Sequence, residues 1–314
     1  MSMGLPLSLW NETATRQTIL DFVAAVTDPD ATGFVPVPER IATFDNDGTL
    51  WCEHPFAQGV FISDRFAEMA ESDPSLRKAE PWKSTWEGDR SWIGNAVVKH
   101  YGGDDSDIKA LLSGVSKAFG DISVDDYEAQ AIEFFETALH PEYKEPYQNV
   151  VYLPMVELLD FLHANGFTCY MVTGGGRDFM RPVSQSLYGF PPERVIGSSP
   201  GLIFQDDEGG ATIGRAASLG ILDDGPEKAV QIWERIGRRP IMAAGNANGD
   251  VPMLRFAADQ VRPTLCLLVS HDDSEREVEY STGADEAVTT AGTDGWTVVS
   301  MKHDWTQVFS FDDD

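Results

Sequence analysis

The chain has 314 residues, with 51 acidic side chains against 23 basic ones and a formal net charge of −28. That excess excludes general affinity for nucleic acid or anionic membranes. No apolar run reaches membrane-spanning length, and Met1-Ser2-Met3-Gly4-Leu5 begins no basic-then-apolar leader, so a cytoplasmic protein is expected.

A hydrophobic fraction of 42% is ordinary for a packed core. Cys52, Cys169 and Cys266 are too few for a disulfide framework. The acidity itself is solvated surface, a composition also met in salt-adapted proteins.

Taken in chain order, residues Thr15 to Val26 carry apolar side chains at helical spacing behind Asn11, a candidate cap. The run Ile41-Ala42-Thr43-Phe44 reads as a buried strand that ends in Asp45-Asn46-Asp47-Gly48-Thr49. Residues two apart on an extended backbone point the same way, so Asp45 and Asp47 face one cleft. Two carboxylates that close raise the proton affinity of one or call for a cation between them. Nucleophile, acid and metal together are the requirements of covalent phosphoryl transfer.

The long interval from Asp45 to Thr173 reads helical over Phe56–Met69, Ile93–Tyr101, Asp107–Phe119, Val124–Leu139 and Leu153–Ala164. Trp82, Trp86 and Trp92 fall within it and either fill its core, the commoner fate, or stack on a substrate. A second strand, Phe167 to Val172, runs into Thr173-Gly174-Gly175-Gly176-Arg177-Asp178. There a hydroxyl and glycine amides at a helix start suit an anion, with a helix expected from Gly175 to Leu187, kinked at Pro182.

Leu202-Ile203-Phe204 and Ala211-Thr212-Ile213 read as a hairpin. Lys228 begins a helix to about Ile236 and is the only lysine between Lys144 and Lys302. A third strand, Ile241 to Ala244, ends in Gly245-Asn246-Ala247-Asn248-Gly249-Asp250, whose oxygen donors suit a hard cation. Thr264–Val269 and Trp296–Met301 are further strands, and Asp312-Asp313-Asp314 looks frayed.

These motifs in this order resemble the haloacid dehalogenase superfamily, and within it the phosphoserine-phosphatase-like hydrolases, over roughly residues 40 to 255. The resemblance implies an α/β doubly wound, Rossmann-like parallel sheet core over 1–55 and 146–314 with an inserted helical cap over 56–145. It implies a Mg2+-dependent phosphatase acting on a small phosphomonoester. Asp45 would attack phosphorus, and Asp47 would protonate the leaving oxygen and then activate water. Thr173, Gly174, Gly175 and Lys228 would hold the phosphoryl group. Magnesium would sit on Asp45, the Asp47 carbonyl and residue 246, with Asp250 assisting.

A halide leaves unprotonated, so the second aspartate, Asp47, argues for phosphate over carbon–halogen chemistry. The family usually has Asp where Asn246 stands, and an uncharged amide implies weaker metal affinity. Two alternatives remain open: a phosphotransferase of the same fold, and a catalytically weak phosphate-binding or regulatory protein. Glu53 is the candidate reader of a substrate amine, and Arg177 of a substrate carboxylate or second phosphate. His54 reads as a surface histidine. His271-Asp272-Asp273 resembles a metal cluster, with a solvated turn the commoner reading. The expected partner is a small phosphate ester, with no nucleic acid and no membrane, and the oligomeric state is left open.

Overall fold

Seven strands form one sheet in the computed structural model, which describes residues 6–89, 91–101, 103–207 and 210–312. They are β1 (Ile41–Phe44), β2 (Thr168–Gly176), β3 (Val195–Asp207), β4 (Gly210–Ile221), β5 (Met242–Gly245), β6 (Leu265–Ser270) and β7 (Thr297–Ser300). Their order is β4-β3-β2-β1-β5-β6-β7. Every neighbouring pair is parallel except β3 with β4.

Central strands buried on both faces read as continuous apolar runs, and β1, β5 and β6 do so. Their side chains alternate between two cores. Ala42, Phe44, Met242, Leu265 and Leu267 face α1 (Ala14–Thr27), α7 (Leu153–Ala164) and α8 (Arg177–Tyr188). Ala243, Cys266 and Leu268 face α9 (Pro226–Ile236), α10 (Val251–Ala258) and α11 (Asp285–Asp294). Helices on both faces of a mostly parallel sheet make the expected doubly wound α/β fold. From β1 the chain works outward through β2 to β4, then crosses back to β5 on the other side of β1. A crevice therefore opens at the carboxyl ends of these strands.

Five helices separate β1 from α7: α2 (Ala57–Ser72), α3 (Trp82–Trp86), α4 (Ser91–Tyr101), α5 (Ser106–Phe119) and α6 (Val124–Thr137). An aromatic seam seats them on the sheet layer. Phe61 of α2 stacks on Phe119 at 5.1 Å and meets Phe179 of α8 at 5.2 Å, while Phe135 of α6 meets Phe179 at 4.8 Å. Trp82 is buried, Trp92 packs against the core, and Trp86 lies under the Arg77 guanidinium at 3.7 Å.

Several local expectations shift. Thr13 rather than Asn11 caps α1, its hydroxyl accepting from the Arg16 amide; the Asn11 amide donates instead to the His303 carbonyl. Gly174 to Gly176 prolong β2 because Gly176 pairs with Ser198 of β3 after a bulge, so α8 starts at Arg177 and runs through Pro182. The hairpin strands are longer than their apolar triplets, pairing from Ser199↔Ile221 to Asp207↔Gly210. Residues 208–209 of its turn and the terminal Asp313 and Asp314 lie outside the described residues. Among the described residues no helix is long and apolar enough to cross a membrane, and the three cysteines are unpaired and buried.

Candidate active site

The amide of Asp45 continues the β1–β5 ladder, donating to the Ala244 carbonyl at 2.9 Å, so the carboxylate stands where the sheet ends. Alternation then sends Asn46 to the opposite face, its amide against the Met180 sulfur at 3.7 Å. Asp47 returns to the crevice. Gly48 takes a left-handed φ of +74°, and a Cβ built there would lie 2.1 Å from Asn246 Nδ2, so the turn needs glycine twice over. The turn folds Trp51 back so that its indole N–H donates to Asp47 Oδ1 at 2.9 Å.

Lys228 enters from the first turn of α9, which begins at Pro226 rather than at the lysine itself. Its Nζ donates to Asp45 Oδ1 and to Asp250 Oδ1, each at 2.6 Å, and the side chain is only 3% exposed. Burial disfavours its charge, but the two carboxylates outweigh that and hold the ammonium well above its usual range. Asp250 Oδ2 accepts from the Asn246 and Ala247 amides, both at 3.0 Å. Both oxygens of Asp250 are thus occupied in fixing the lysine and the loop after β5.

Burial raises Asp47 to about 6. The Trp51 indole, Lys228 and the Thr173 hydroxyl pull against that rise, and the Glu53 charge adds to it. Thr173 is fully buried at the bend of β2, and its Oγ1 accepts from the Gly175 amide at 3.0 Å. The Gly174 carbonyl accepts from Ser198, and the Gly176 amide donates to Gln58 Oε1 of α2 at 2.7 Å. Asp45, Asp47, Thr173, Gly175, Lys228, Asn246 and Asp250 therefore meet at the carboxyl ends of β2, β1 and β5.

Glu53 stands on the Asn246 side of this group. Its Oε2 accepts from Asn246 Nδ2 at 3.1 Å and from the Tyr280 hydroxyl. A carboxylate can only accept, so it fixes which end of the Asn246 amide is nitrogen. The Asn246 oxygen accepts from the Thr49 hydroxyl at 3.2 Å. Among the described residues no three His, Cys, Asp or Glu side chains form a ready metal cage. The available donors are mixed: the Asp45 carboxylate, the Asp47 main-chain carbonyl and the Asn246 amide oxygen. With Glu53 and Asp250 close by, carboxylates outnumber the single ammonium, and this set fits a hard divalent cation.

Arg177 opens α8 beside the glycines and ion-pairs with its neighbour Asp178 at 3.0 Å. His54 is exposed, edge-on to Tyr280. His271-Asp272-Asp273 forms neither a metal cluster nor a solvated turn. His271 is buried, with Nε2 2.8 Å from the Gly48 carbonyl and Nδ1 3.1 Å from Glu277. Asp272 accepts from Ser300 and from the Lys302 amide, and Asp273 pairs with Arg276. Sequence reasoning missed Gln58, Tyr280 and the donor role of Trp51, since no motif marks a residue that acts by supporting another.

A family model described as haloacid dehalogenase-like hydrolase matches residues 42–255, more than half of the chain. No curated protein sequence matches. Among solved structures, a protein of unknown function from Bordetella pertussis Tohama I is 15% identical at a TM-score of 0.53, covering 83% of this chain and 98% of its own. A conserved, functionally unknown protein from Anaerococcus prevotii DSM 20548 is 16% identical at a TM-score of 0.56, covering 95% and 94%. A phosphoserine phosphohydrolase-like protein from Francisella tularensis is 13% identical at a TM-score of 0.39, covering 80% and 98%. At such identities the first two show a shared fold and nothing of activity.

Proposed function

The chain belongs to the haloacid dehalogenase-like hydrolases, and from that premise we propose a magnesium-dependent phosphatase that hydrolyses a small phosphomonoester through an aspartyl-phosphate on Asp45. One observation carries the reading: Asp45 is paired through a single oxygen to Lys228, and a second carboxyl two residues on is poised at about 6. Asp45 Oδ2 has no protein partner among the described residues and is the attacking atom. As its bond to phosphorus forms, the ester P–O bond breaks and the leaving oxygen takes a proton from Asp47. In the second half a water oxygen bonds to phosphorus, its proton passes to Asp47, and the Asp45–phosphorus bond breaks.

A carboxyl at about 6 supplies both protonation states near neutral pH, as a group that donates and then accepts requires. Lys228 and Thr173, with the Gly174–Gly175 turn, hold the phosphoryl oxygens, where fixed charge stabilises transfer. The cation would be held by Asp45, the Asp47 carbonyl and Asn246, and it would supply further neutralisation of the phosphoryl oxygens. Asp250 serves by fixing Lys228 and the loop. Glu53 orients Asn246 rather than reading a substrate amine. Residues 56–145 form the cap over the core of 1–55 and 146–314, and Gln58 ties that cap to the phosphate loop. Asp45→Asn should abolish turnover of 4-nitrophenyl phosphate while the circular dichroism spectrum stays that of the parent. Near-parental turnover in that variant contradicts the covalent route.

A further inference from the structure

Beside the phosphate loop, three arginines converge on one carboxylate. Asp178 Oδ1 accepts from Arg177 Nε at 3.0 Å and Arg181 Nη1 at 3.1 Å, and its Oδ2 accepts from Arg215 Nη1 at 3.1 Å. Arg177 and Arg215 are 7% and 6% exposed. Arg215 comes from β4, its guanidinium carbon sits over the Tyr127 ring at 3.6 Å, and its Nε is buried with no hydrogen-bond partner among the described residues. Among the described residues Arg177 donates only through Nε, leaving the rest of its fork unused. Arg181 is 34% exposed and solvated, so the two buried guanidiniums share one carboxylate and one buried positive charge is left over, in a protein whose net charge is −28. Withdrawing guanidinium from water without a counter-charge is costly, so such a cluster is built for an anion that the chain does not itself supply.

Its place tells which anion. Gln58 joins the cluster to the reacting end: its Oε1 accepts from the Gly176 amide at 2.7 Å, and its Nε2 lies 3.5 Å from the Tyr127 hydroxyl. A Cβ on Gly175 would lie 3.2 Å from Gln58 Oε1 and 3.6 Å from Asp47 Oδ2. The wall from Asp47 to the arginines thus runs through Gly175, Gln58 and Tyr127, on the side of the carboxyl that protonates the leaving oxygen.

We propose that Arg177 and Arg215 form a second anion subsite, and that the substrate is a phosphomonoester whose alcohol portion carries a further anionic group, a carboxylate or a second phosphate. This rests on the phosphatase reading of Asp45 and Asp47. A planar guanidinium fork suits either group by two parallel hydrogen bonds.

Calorimetric binding to Asp45→Asn protein, which cannot turn substrate over, tests the subsite with two matched pairs. One pair is 3-phosphoglycerate with glycerol 3-phosphate, the other fructose 1,6-bisphosphate with fructose 6-phosphate. At least one doubly anionic member should bind about tenfold or more tighter than its partner, the scale of a charge-assisted hydrogen bond. Which pair shows the preference distinguishes carboxylate from phosphate.

Adding Arg215→Met should bring that ratio to about one and leave the singly anionic members within about threefold, since they do not reach the fork. Arg215→Lys, which keeps the charge and loses the fork, should give an intermediate ratio and carries the test if the methionine variant does not fold. Equal binding within both pairs, or a preference that survives both Arg215 substitutions, overturns the subsite. Failure of glycerol 3-phosphate and fructose 6-phosphate to bind at all would instead refute the phosphate-site reading on which it rests.

Discussion

Replacing Lys228 by methionine keeps the length of the side chain and removes the charge that Asp45 and Asp250 share. Their two oxygens each stand 2.6 Å from Nζ, so they lie at most twice that distance apart once the ammonium is gone. At about 5 Å and an effective dielectric near 20, two unit charges repel by about 3 kcal/mol, roughly two pKa units. One carboxylate of the bare pair will therefore bind a proton at a higher pH than either does beside the lysine. A carboxyl whose folded-state pKa is raised keeps its stability at low pH and loses it as pH rises through that value.

Lys228→Met should thus be destabilised by about 3–5 kcal/mol at pH 8, the range for stripping one partner from a buried ion pair, and by clearly less at pH 5.5. Adding Asp250→Asn should recover most of the pH-dependent part. Urea unfolding of the parent, single and double variants in chelator, at both pH values, measures this. Turnover should fall by about a hundredfold or more in both variants, because a fixed charge on the transferring group is gone. A loss below about 1 kcal/mol that does not vary with pH would refute the assignment of Lys228 as the counter-charge of both carboxylates.

Two further outcomes follow from the same site. Asn246→Asp, which would look like a simple gain of metal ligand, places a carboxylate against Glu53 Oε2 where an amide now donates at 3.1 Å. The single variant should lose thermal stability in chelator and regain it with magnesium, while Glu53→Gln with Asn246→Asp should be stable in both. Glu53→Gln alone should raise the magnesium needed for half-maximal turnover by about tenfold, as expected for a residue that orients a ligand; unchanged metal requirement in all three variants would remove the cation from this loop.

Asp223 is fully buried, neither carboxylate oxygen has a partner among the described residues, and burial pushes its carboxyl up to about 7 against the pull of Lys228. Its folded-state value is raised, so stability present in acid is lost as pH rises through about 7, by up to roughly 4 kcal/mol. Asp223→Asn should therefore gain on the parent steadily in denaturant unfolding from pH 4 to pH 8, and a difference that stays flat with pH contradicts it.

The candidate site residues are legible in the sequence because each one ends or follows a strand. Apolar runs at 41–44, 167–172 and 241–244 stop abruptly at Asp45, Thr173 and Asn246, and parallel pairing brings those ends together. The shared direction of Asp45 and Asp47 follows from period-two alternation alone and needs no tertiary information. What stayed hidden depends on contacts far apart in the chain. The glycines after Thr173 have the local character of a helix start, but that propensity yields to the pairing of Gly176 with Ser198. The polarity of His271-Asp272-Asp273 suggests a solvated turn, and only the fold brings Glu277 and the Gly48 carbonyl to the histidine. Arg215 lay in a segment read only as a hairpin, and its neighbours Asp178 and Tyr127 come from two other elements. The pairing of Asp250 with Lys228 is likewise hidden in the sequence, because the lysine arrives from α9.

If Asp45 carries the phosphoryl group, rapid acid quenching during turnover of a good phosphomonoester, borohydride reduction of the acyl phosphate and mass spectrometry of the peptides will find it there. The peptide spanning residues 41–50 should carry the reduced product, homoserine, at position 45, and with an activated aryl ester, whose leaving group needs no proton, Asp47→Asn should raise its yield by slowing attack of water on the intermediate. Turnover with no label at Asp45, or with the label on another residue, would show that the phosphoryl group does not pass through this carboxylate.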